Sequence, residues 1–283
     1  MKRSQSANRP HVIVVHLFLI LLGIIMVYPL IWLFFASFKT NTEIFSDIQL
    51  FPTRFHFENY SSGWVGSGSI SFARYFGNTF LLVIPTVFFT VVSSMLVAYS
   101  FARFRYPGRK AFFFLMLSTM MLPSTVVLIP RFIVFSRLGM MNSYWPFYLP
   151  AAFASTPFFV FLFYQFIRGL PVELNEAAVI DGCGSFRILL YIILPLSKAA
   201  MVSAVIFQFI WTWNDYFNEL IYINSVSKYT VSLGLRLMVD SESATSWDRI
   251  LAMAVVSIAP GTILYFFCQK FLVQGIATSG IKM

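Results

Sequence analysis

The stretch Glu176-Ala177-Ala178-Val179-Ile180-Asp181-Gly182, introduced by Gly169-Leu170-Pro171 and closed by Leu194-Pro195, decides how this chain is read. It sits in a polar interval, 168–198, between two long apolar runs. Pro171 suits the first position of a helix, and the charge of Glu173 suits the positive end of a helix dipole. The pattern predicts a short helix over about 171–181, ended by Gly182 and Gly184. A second helix starts near Ser185, carries Arg187 and Tyr191, reaches Pro195 and runs into the next apolar stretch. On the first helix Glu173, Ala177 and Ile180/Asp181 share a face, with Glu176 beside them. Such a helix is suited to docking. Ala177 and Ala178 let another surface approach the backbone, Gly182 allows a sharp exit, and Glu176 and Asp181 can pair with basic groups or accept hydrogen bonds. Glu-Ala-Ala alone fits an ordinary amphipathic connector. The full pattern, with Asp-Gly and then Pro195 nineteen residues after Glu176, is far more restrictive.

The surroundings are apolar to a degree that a water-soluble fold cannot hide. The chain of 283 residues is 58% hydrophobic, 19% aromatic and 11% charged, with 34 Phe and a mean hydropathy of +0.77. Soluble domains carry about 25% charged residues, so lipid is the implied solvent. Six runs, about 12–37, 77–102, 111–130, 146–167, 199–222 and 250–269, are each long enough to cross the hydrocarbon as a helix, which takes about 20 residues. None has a charge in its central part, and continuous rather than alternating apolar residues argue against a barrel. The expectation is an all-α membrane protein with six transmembrane helices, a tail over 1–11 and a single membrane domain over 12–283. The first run exceeds the apolar core of a cleaved signal peptide and lacks a small-residue cleavage site, so it is expected to stay as a helix.

Charge sets the orientation. With both termini in the cytoplasm, the inner segments hold 12 of the 20 Lys and Arg and 3 of the 11 acids, and so the whole net charge of +9. The cluster Arg103, Arg105, Arg109 and Lys110 anchors one inner turn. These basic groups hug the ends of spans, which argues against nucleic acid as their partner. Chemistry is not foreseen. Cys183 and Cys268 have no metal or redox spacing, and His11, His16 and His56 are scattered. Pro107-Gly108-Arg109-Lys110 lacks the upstream glycine and the Ser/Thr of a phosphate loop. No metal site and no catalytic residue are expected.

The inner-loop pattern resembles the permease subunits of ABC importers. Other residues resemble the maltose-type carbohydrate permeases, in particular the smaller of the two paired subunits. These are Ser37-Phe38-Lys39-Thr40, Glu58-Asn59-Tyr60, Asn78-Thr79, Trp213-Asn214-Asp215-Tyr216 and the tail Gly275-Ile276-Ala277-Thr278-Ser279-Gly280-Ile281-Lys282. The likeness covers nearly the whole chain. Cys183-Gly184 depart from the usual pair after Asp-Gly, and the tail ends on Met283. The resemblance implies a type I importer fold with a cytoplasmic coupling helix between helices 4 and 5. It implies docking on an ATPase through Glu173, Glu176, Ala177, Ala178, Asp181 and Gly182. It also implies a homologous second permease (a heterodimer), two ATP-binding subunits that bind ATP and Mg, with no cofactor in this chain, and an outer solute-binding protein. The setting is a bacterial or archaeal cytoplasmic membrane. In such families the outer loop before the last helix, here about 223–248, reaches the binding protein, which makes Asp240, Glu242 and Asp248 candidate contacts.

A carbohydrate path needs aromatic faces and polar groups in a wet cavity. Ser203, Phe207, Trp211, Asn214 and Asp215 recur at helical spacing on the fifth run, with Gln208 on an adjacent face. Ordinary packing with an interfacial Trp fits the same pattern. Other readings stay open. A permease of the same superfamily for a non-sugar solute would share the inner loop. An ion-coupled transporter would need an acid or base within the membrane. A channel or a membrane enzyme leaves the inner loop unexplained.

Overall fold

The computed structural model describes residues 9–46, 49–66, 70–242 and 246–280, with side chains described over 12–46, 49–66, 70–240 and 246–270. The helices, in order, are α1 (Arg9–Ala36), α2 (Asn41–Ser46), α3 (Glu58–Val65), α4 (Phe72–Arg103), α5 (Arg109–Thr119), α6 (Ser124–Arg137), α7 (Trp145–Ala152) and α8 (Pro157–Gly169). They continue with α9 (Glu173–Ile180), α10 (Ser185–Ile188), α11 (Leu194–Leu196), α12 (Lys198–Trp213), α13 (Tyr216–Tyr222), α14 (Val231–Glu242) and α15 (Trp247–Gly280). A π-helical turn spans Leu189–Ile193 and a 3-10 turn spans Val226–Lys228. No strand occurs among the described residues.

Four stretches are single spans by length and apolarity: Val12–Ala36, Phe72–Arg103, Trp145–Gly169 and Trp247–Lys270. Two more arise only if bent pairs count as one: Arg109–Thr119 with Ser124–Arg137, bent by 101°, and Ser185–Leu196 with Lys198–Trp213, bent by 78°. The run 111–130, expected as one helix, is therefore two helices. Pro123 removes a backbone donor and disfavours helical geometry at Leu122, and helix α6 restarts at Ser124. The run 199–222 also divides, at Asn214-Asp215.

The chain forms two compact units, Met1–Ser69 with Leu237–Ser257, and Ile70–Arg236 with Ile258–Met283. In the first, Ser37-Phe38-Lys39-Thr40 and Glu58-Asn59-Tyr60 form one knot. The Asn59 amide donates to the carbonyls of Ser37 (3.0 Å) and Lys39 (2.9 Å). The Ser37 hydroxyl meets the Tyr60 hydroxyl at 2.7 Å, and the Phe38 ring packs against Phe55, Phe57 and Tyr60. Buried Lys39 gives its ammonium to the Gln49 carbonyl. Thr40 and Glu43 then make a reciprocal capping box at the start of α2. The Thr40 and Thr53 backbone N–H groups hold the Glu43 carboxyl below its ordinary range, against a smaller opposing effect of burial.

In the second unit α4 is the axis. Thr86, Thr90, Ser94 and Ala98 recur every four residues and are buried. Small residues at that spacing let helices approach closely, which is how helices associate in lipid. Beside this stripe Val91, Met95 and Tyr99 pack with Phe159, Phe163 and Ile167 of α8. At the N-terminal end of α4, Tyr75 fills the space beside Gly234 of α14, where an added Cβ would lie 2.3 Å from the Tyr75 ring. Gly234→Ala is therefore expected to destabilise the protein by about 1–3 kcal/mol. Tyr75→Phe, which removes a buried hydroxyl lacking a partner, should leave stability unchanged or raised. Thermal unfolding of the two variants in one detergent checks both.

Candidate functional site

The inner-loop pattern folds into α9 and its exit. Residue Gly182 has φ 78°, the left-handed region. From there Gly182 N–H reaches the Val179 carbonyl at 3.0 Å, and Cys183 N–H reaches the Ala178 carbonyl at 2.9 Å. These two bonds are a Schellman motif, and they explain why a glycine follows the aspartate. The expected helix over 171–181 is shorter, Glu173–Ile180. Glu173, Glu176, Ala177, Asp181 and Gly182 are all exposed. Ala178 is not: at 5% exposure it packs into the core with Tyr99, Ile167, Ile188 and Leu189. Neighbouring helical residues point about 100° apart, so the alanine pair divides its work. Ala177 faces out and Ala178 anchors the helix. Apolar side chains join the outward surface, with Ile180 85% exposed and Val179 and Phe186 also exposed.

Three contacts tie this region to α4. The Arg103 guanidinium donates from Nη2 to the carbonyls of Ile167 and Leu170, each at 3.0 Å, closing the end of α8. The Tyr99 hydroxyl donates to the Ser185 carbonyl at 3.2 Å. Further on, Pro195 has no N–H to continue the helix. Leu194 N–H reaches back to the Leu189 carbonyl, which makes the π turn.

A cavity of about 240 Å³ opens among α4, α6, α7 and α12. Thr86, Thr90, Arg131, Gln208, Trp211 and Asp215 are among its lining residues. Two of the residues foreseen for the substrate path, Trp211 and Asp215, are thus brought together. Trp211 is 46% exposed, its ring 5.2 Å from those of Phe158 and Phe159. The Phe207 ring lies tilted beside it, at 6.3 Å, and Phe207 does not line the cavity. Ser203 is buried and donates to the Ala199 carbonyl. Asn214 also lies off the cavity. Its amide donates to the Ile210 carbonyl at 2.8 Å, satisfying the end of α12. Asp215 caps α13 by accepting Asn218 N–H at 3.2 Å. Trp213-Asn214-Asp215-Tyr216 is thus a helix joint.

Asn78-Thr79 is a joint of another kind. The Asn78 amide donates to the carbonyls of Ser227 (2.9 Å) and Tyr229 (2.8 Å), and the Thr79 hydroxyl accepts Val231 N–H at 2.8 Å. The Asn142 carboxamide takes the N–H groups of Asn224 and Ser225. Fully buried Glu219 accepts the hydroxyls of Thr230 and Ser232. The segment between α13 and α14 is therefore pinned from several sides. Of the three acids expected beyond it, Asp240 is exposed on α14. Asp248 is half-buried, and its carboxylate accepts Arg249 N–H at 2.9 Å. The Glu242 side chain lies outside the described residues, as does that of each tail residue 275–283.

Sequence reasoning missed Arg131, the two threonines of α4 and Glu219. A basic residue directly after Pro130, inside the apolar stretch 124–135, was the available signal for Arg131. Both cysteines are free. Among the described residues no group of three His, Cys, Asp or Glu side chains gathers as a metal site would need.

The chain matches the family described as binding-protein-dependent transport system inner membrane component over residues 90–278. It is 34% identical to a probable ABC transporter permease, YurM, of Bacillus subtilis, across 95% of this chain and 88% of that one. It is 35% identical to the sn-glycerol-3-phosphate transport system permease UgpE of Rhizobium meliloti, across 92% and 94%. Identity is 27% to the diacetylchitobiose uptake system permease NgcG of Streptomyces coelicolor, across 98% and 91%. Among solved structures, a chain of a bacterial ABC transporter involved in import of the acidic polysaccharide alginate superposes with a TM-score of 0.83 at 22% identity, covering 95% of this chain and 99% of that one. The fold is that of an ABC importer permease, and the chain belongs to the family of binding-protein-dependent transport system inner membrane components.

Proposed function

We propose that this chain is the permease subunit of an ATP-driven importer that moves a carbohydrate or related polyol inward across a bacterial cytoplasmic membrane. The observation that carries this reading is α9, a short helix anchored inward by Ala178 and presenting Glu173, Glu176, Ala177 and Ile180 outward. A separate ATPase, holding ATP and Mg, docks on that face. Movement of the docked helix passes through the Arg103 and Tyr99 contacts to α4, which lines the cavity. Both termini and the α9 loop lie on the cytoplasmic side, and the six apolar stretches cross the membrane as six spans, two of them bent. A homologous, non-identical permease completes the path. A solute-binding protein delivers substrate from outside, where Asp240, Glu242 and Asp248 are contact candidates. An arrangement of this kind has a precedent in the fold: a bacterial alginate transporter in complex with its pentasaccharide-bound periplasmic protein contains a chain with a TM-score of 0.66 to this one at 15% identity.

The relatives named above are described as handling an acetylated sugar dimer, a glycerol phosphate and an acidic polysaccharide. These are all hydroxyl-rich or derived from hydroxyl-rich molecules, and the cavity supplies matching groups. Trp211 offers an apolar ring face, and Asp215 and Gln208 offer acceptors for hydroxyls.

Glu176→Lys should reduce uptake by at least about 10-fold, the effect of losing one interface hot spot, while the subunit still reaches the membrane. Gly182→Val should do the same by straining the left-handed turn. Recovery of the ATPase with tagged permease is the direct measurement, and full recovery with both variants would remove α9 as the docking site. Trp211→Ala should weaken half-saturation for substrate by roughly 10-fold if its ring stacks on sugar. Unchanged uptake kinetics would return Trp211 to a packing role.

A further inference from the structure

Resting on the carbohydrate-importer reading, we propose that the cavity is a subsite for an acidic sugar or polyol, bearing a carboxylate or phosphate, with Arg131 as the group that receives the acid.

The state of Arg131 motivates this. Arg131 is one of the residues that line the cavity. One nitrogen, Nη2, is spent on the Pro146 carbonyl at 2.6 Å. The cation lies over two ring faces, 5.6 Å from the Phe135 centroid and 5.7 Å from that of Tyr222. These rings fix the plane of the fork without supplying a counter-charge. Nε is buried and has no hydrogen-bond partner. Arg131 has no ion-pair partner among the described residues. Asp215 lines the same cavity, but both of its oxygens accept from Asn218 Nδ2, at 2.8 and 2.9 Å. Arg131 as a whole is half-buried, but its buried, unpartnered Nε and unpaired charge are best completed by an acceptor, above all an anionic one.

The second observation is Gln208. It is 9% exposed, lines the cavity and gives Nε2 to the Thr212 hydroxyl at 2.7 Å. Its Oε1 is buried without a partner. An amide oxygen can only accept, so it calls for a hydroxyl or amine donor. The two needs are opposite in kind. A neutral sugar would answer Gln208 and leave the Arg131 charge unmet. A bare anion would answer Arg131 and leave Gln208 orphaned. A molecule with an acid at one end and hydroxyls at the other meets both, its acid toward Arg131 and its hydroxyls toward Gln208 and Asp215. The volume of about 240 Å³ lies below the ~300–1,000 Å³ usual for drug-sized ligands, which fits a single sugar unit passing at a time.

The test uses the complete importer, this chain purified with its partner subunits and held in lipid nanodiscs. Tryptophan fluorescence is titrated with glucuronate, glycerol phosphate, glucose and inorganic phosphate, and the signal specific to the cavity is taken as the difference from Trp211→Phe. At least one of the two acidic polyols should bind about 10-fold or more tightly than glucose and inorganic phosphate, as a charge-assisted pair requires. Which of the two wins tells carboxylate from phosphate. Arg131→Gln should abolish the preference, and Arg131→Lys should retain part of it. Two results would overturn the proposal: neither acidic polyol binding more tightly than both glucose and inorganic phosphate, or no saturable response to any probe. A preference that survives Arg131→Gln would overturn the role of Arg131. The wild-type selectivity stands as a test even if the variants fail to assemble. ATPase recovered in the same preparation reports separately on the importer reading, because its absence would sink that reading whatever the probes do.

Discussion

A carbonyl released where a helix breaks inside lipid has no water to turn to, so a protein donor must reach it. This chain breaks its helices repeatedly, and α4 carries the donors. Ser93 reaches the Ala151 carbonyl at 2.6 Å, where α7 gives way to α8. Arg103 closes the end of α8, Tyr99 holds Ser185, and Asn78 holds two carbonyls of the segment before α14. Each leaving group costs several kcal/mol if unmet. The bent architecture around the cavity is therefore possible only because a long, unbroken helix stands in its middle. Pro85 sits inside α4 without ending it.

The short patterns that carried the family resemblance share this logic. Ser37 to Thr40 and Glu58 to Tyr60 are two halves of one knot. Asn78-Thr79 is a clamp on a distant backbone, and Asn214-Asp215 ends one helix and begins the next. None of these residues was marked by apolar periodicity. They are polar residues whose side chains replace missing backbone partners, so only a shared pattern could reveal them before the geometry was known. The formal sequon Asn59-Tyr60-Ser61 is an instance. Its asparagine is buried with its amide committed to two carbonyls.

Apolar run length made the spans legible, because the hydrocarbon demands it and composition records it. The breaks were less so. Pro123 and Pro195 stand plainly in the sequence, yet a proline in a membrane helix can kink it, widen it into a π turn or end it, and the choice depends on which donors lie nearby. The shape of the loop around α9 was legible in outline, since Gly182 had one physical use. The partition of Ala177 from Ala178 was not, because it depends on which side of a short helix meets the core. Arg131 escaped because the run taken as a span was closed at Pro130, although the apolar residues resume at Phe132. Its place over Phe135 follows from i, i+4 spacing on α6, but its place over Tyr222 depends on the packing of α6 against α13, a three-dimensional fact. Asn214 was grouped with Trp211 by helical spacing, but the helix carrying that spacing stops at Trp213.

The π turn at Leu189–Ile193 has a further effect, one of phase. By bonding five residues back rather than four, it inserts one residue into the helical count, and each residue is worth roughly 100° of rotation about the axis. The residues that follow, up to Leu196, are turned by that amount relative to an unbroken α ladder before the chain bends by 78° into α12. A lineage that lost Leu190 or Ile192 would keep every side chain named above and still bring Leu194 and Leu196 to the bend on another side. The side from which the chain enters α12, the helix that bears Gln208 and Trp211, is thus set partly by arithmetic, in a turn that does not line the cavity.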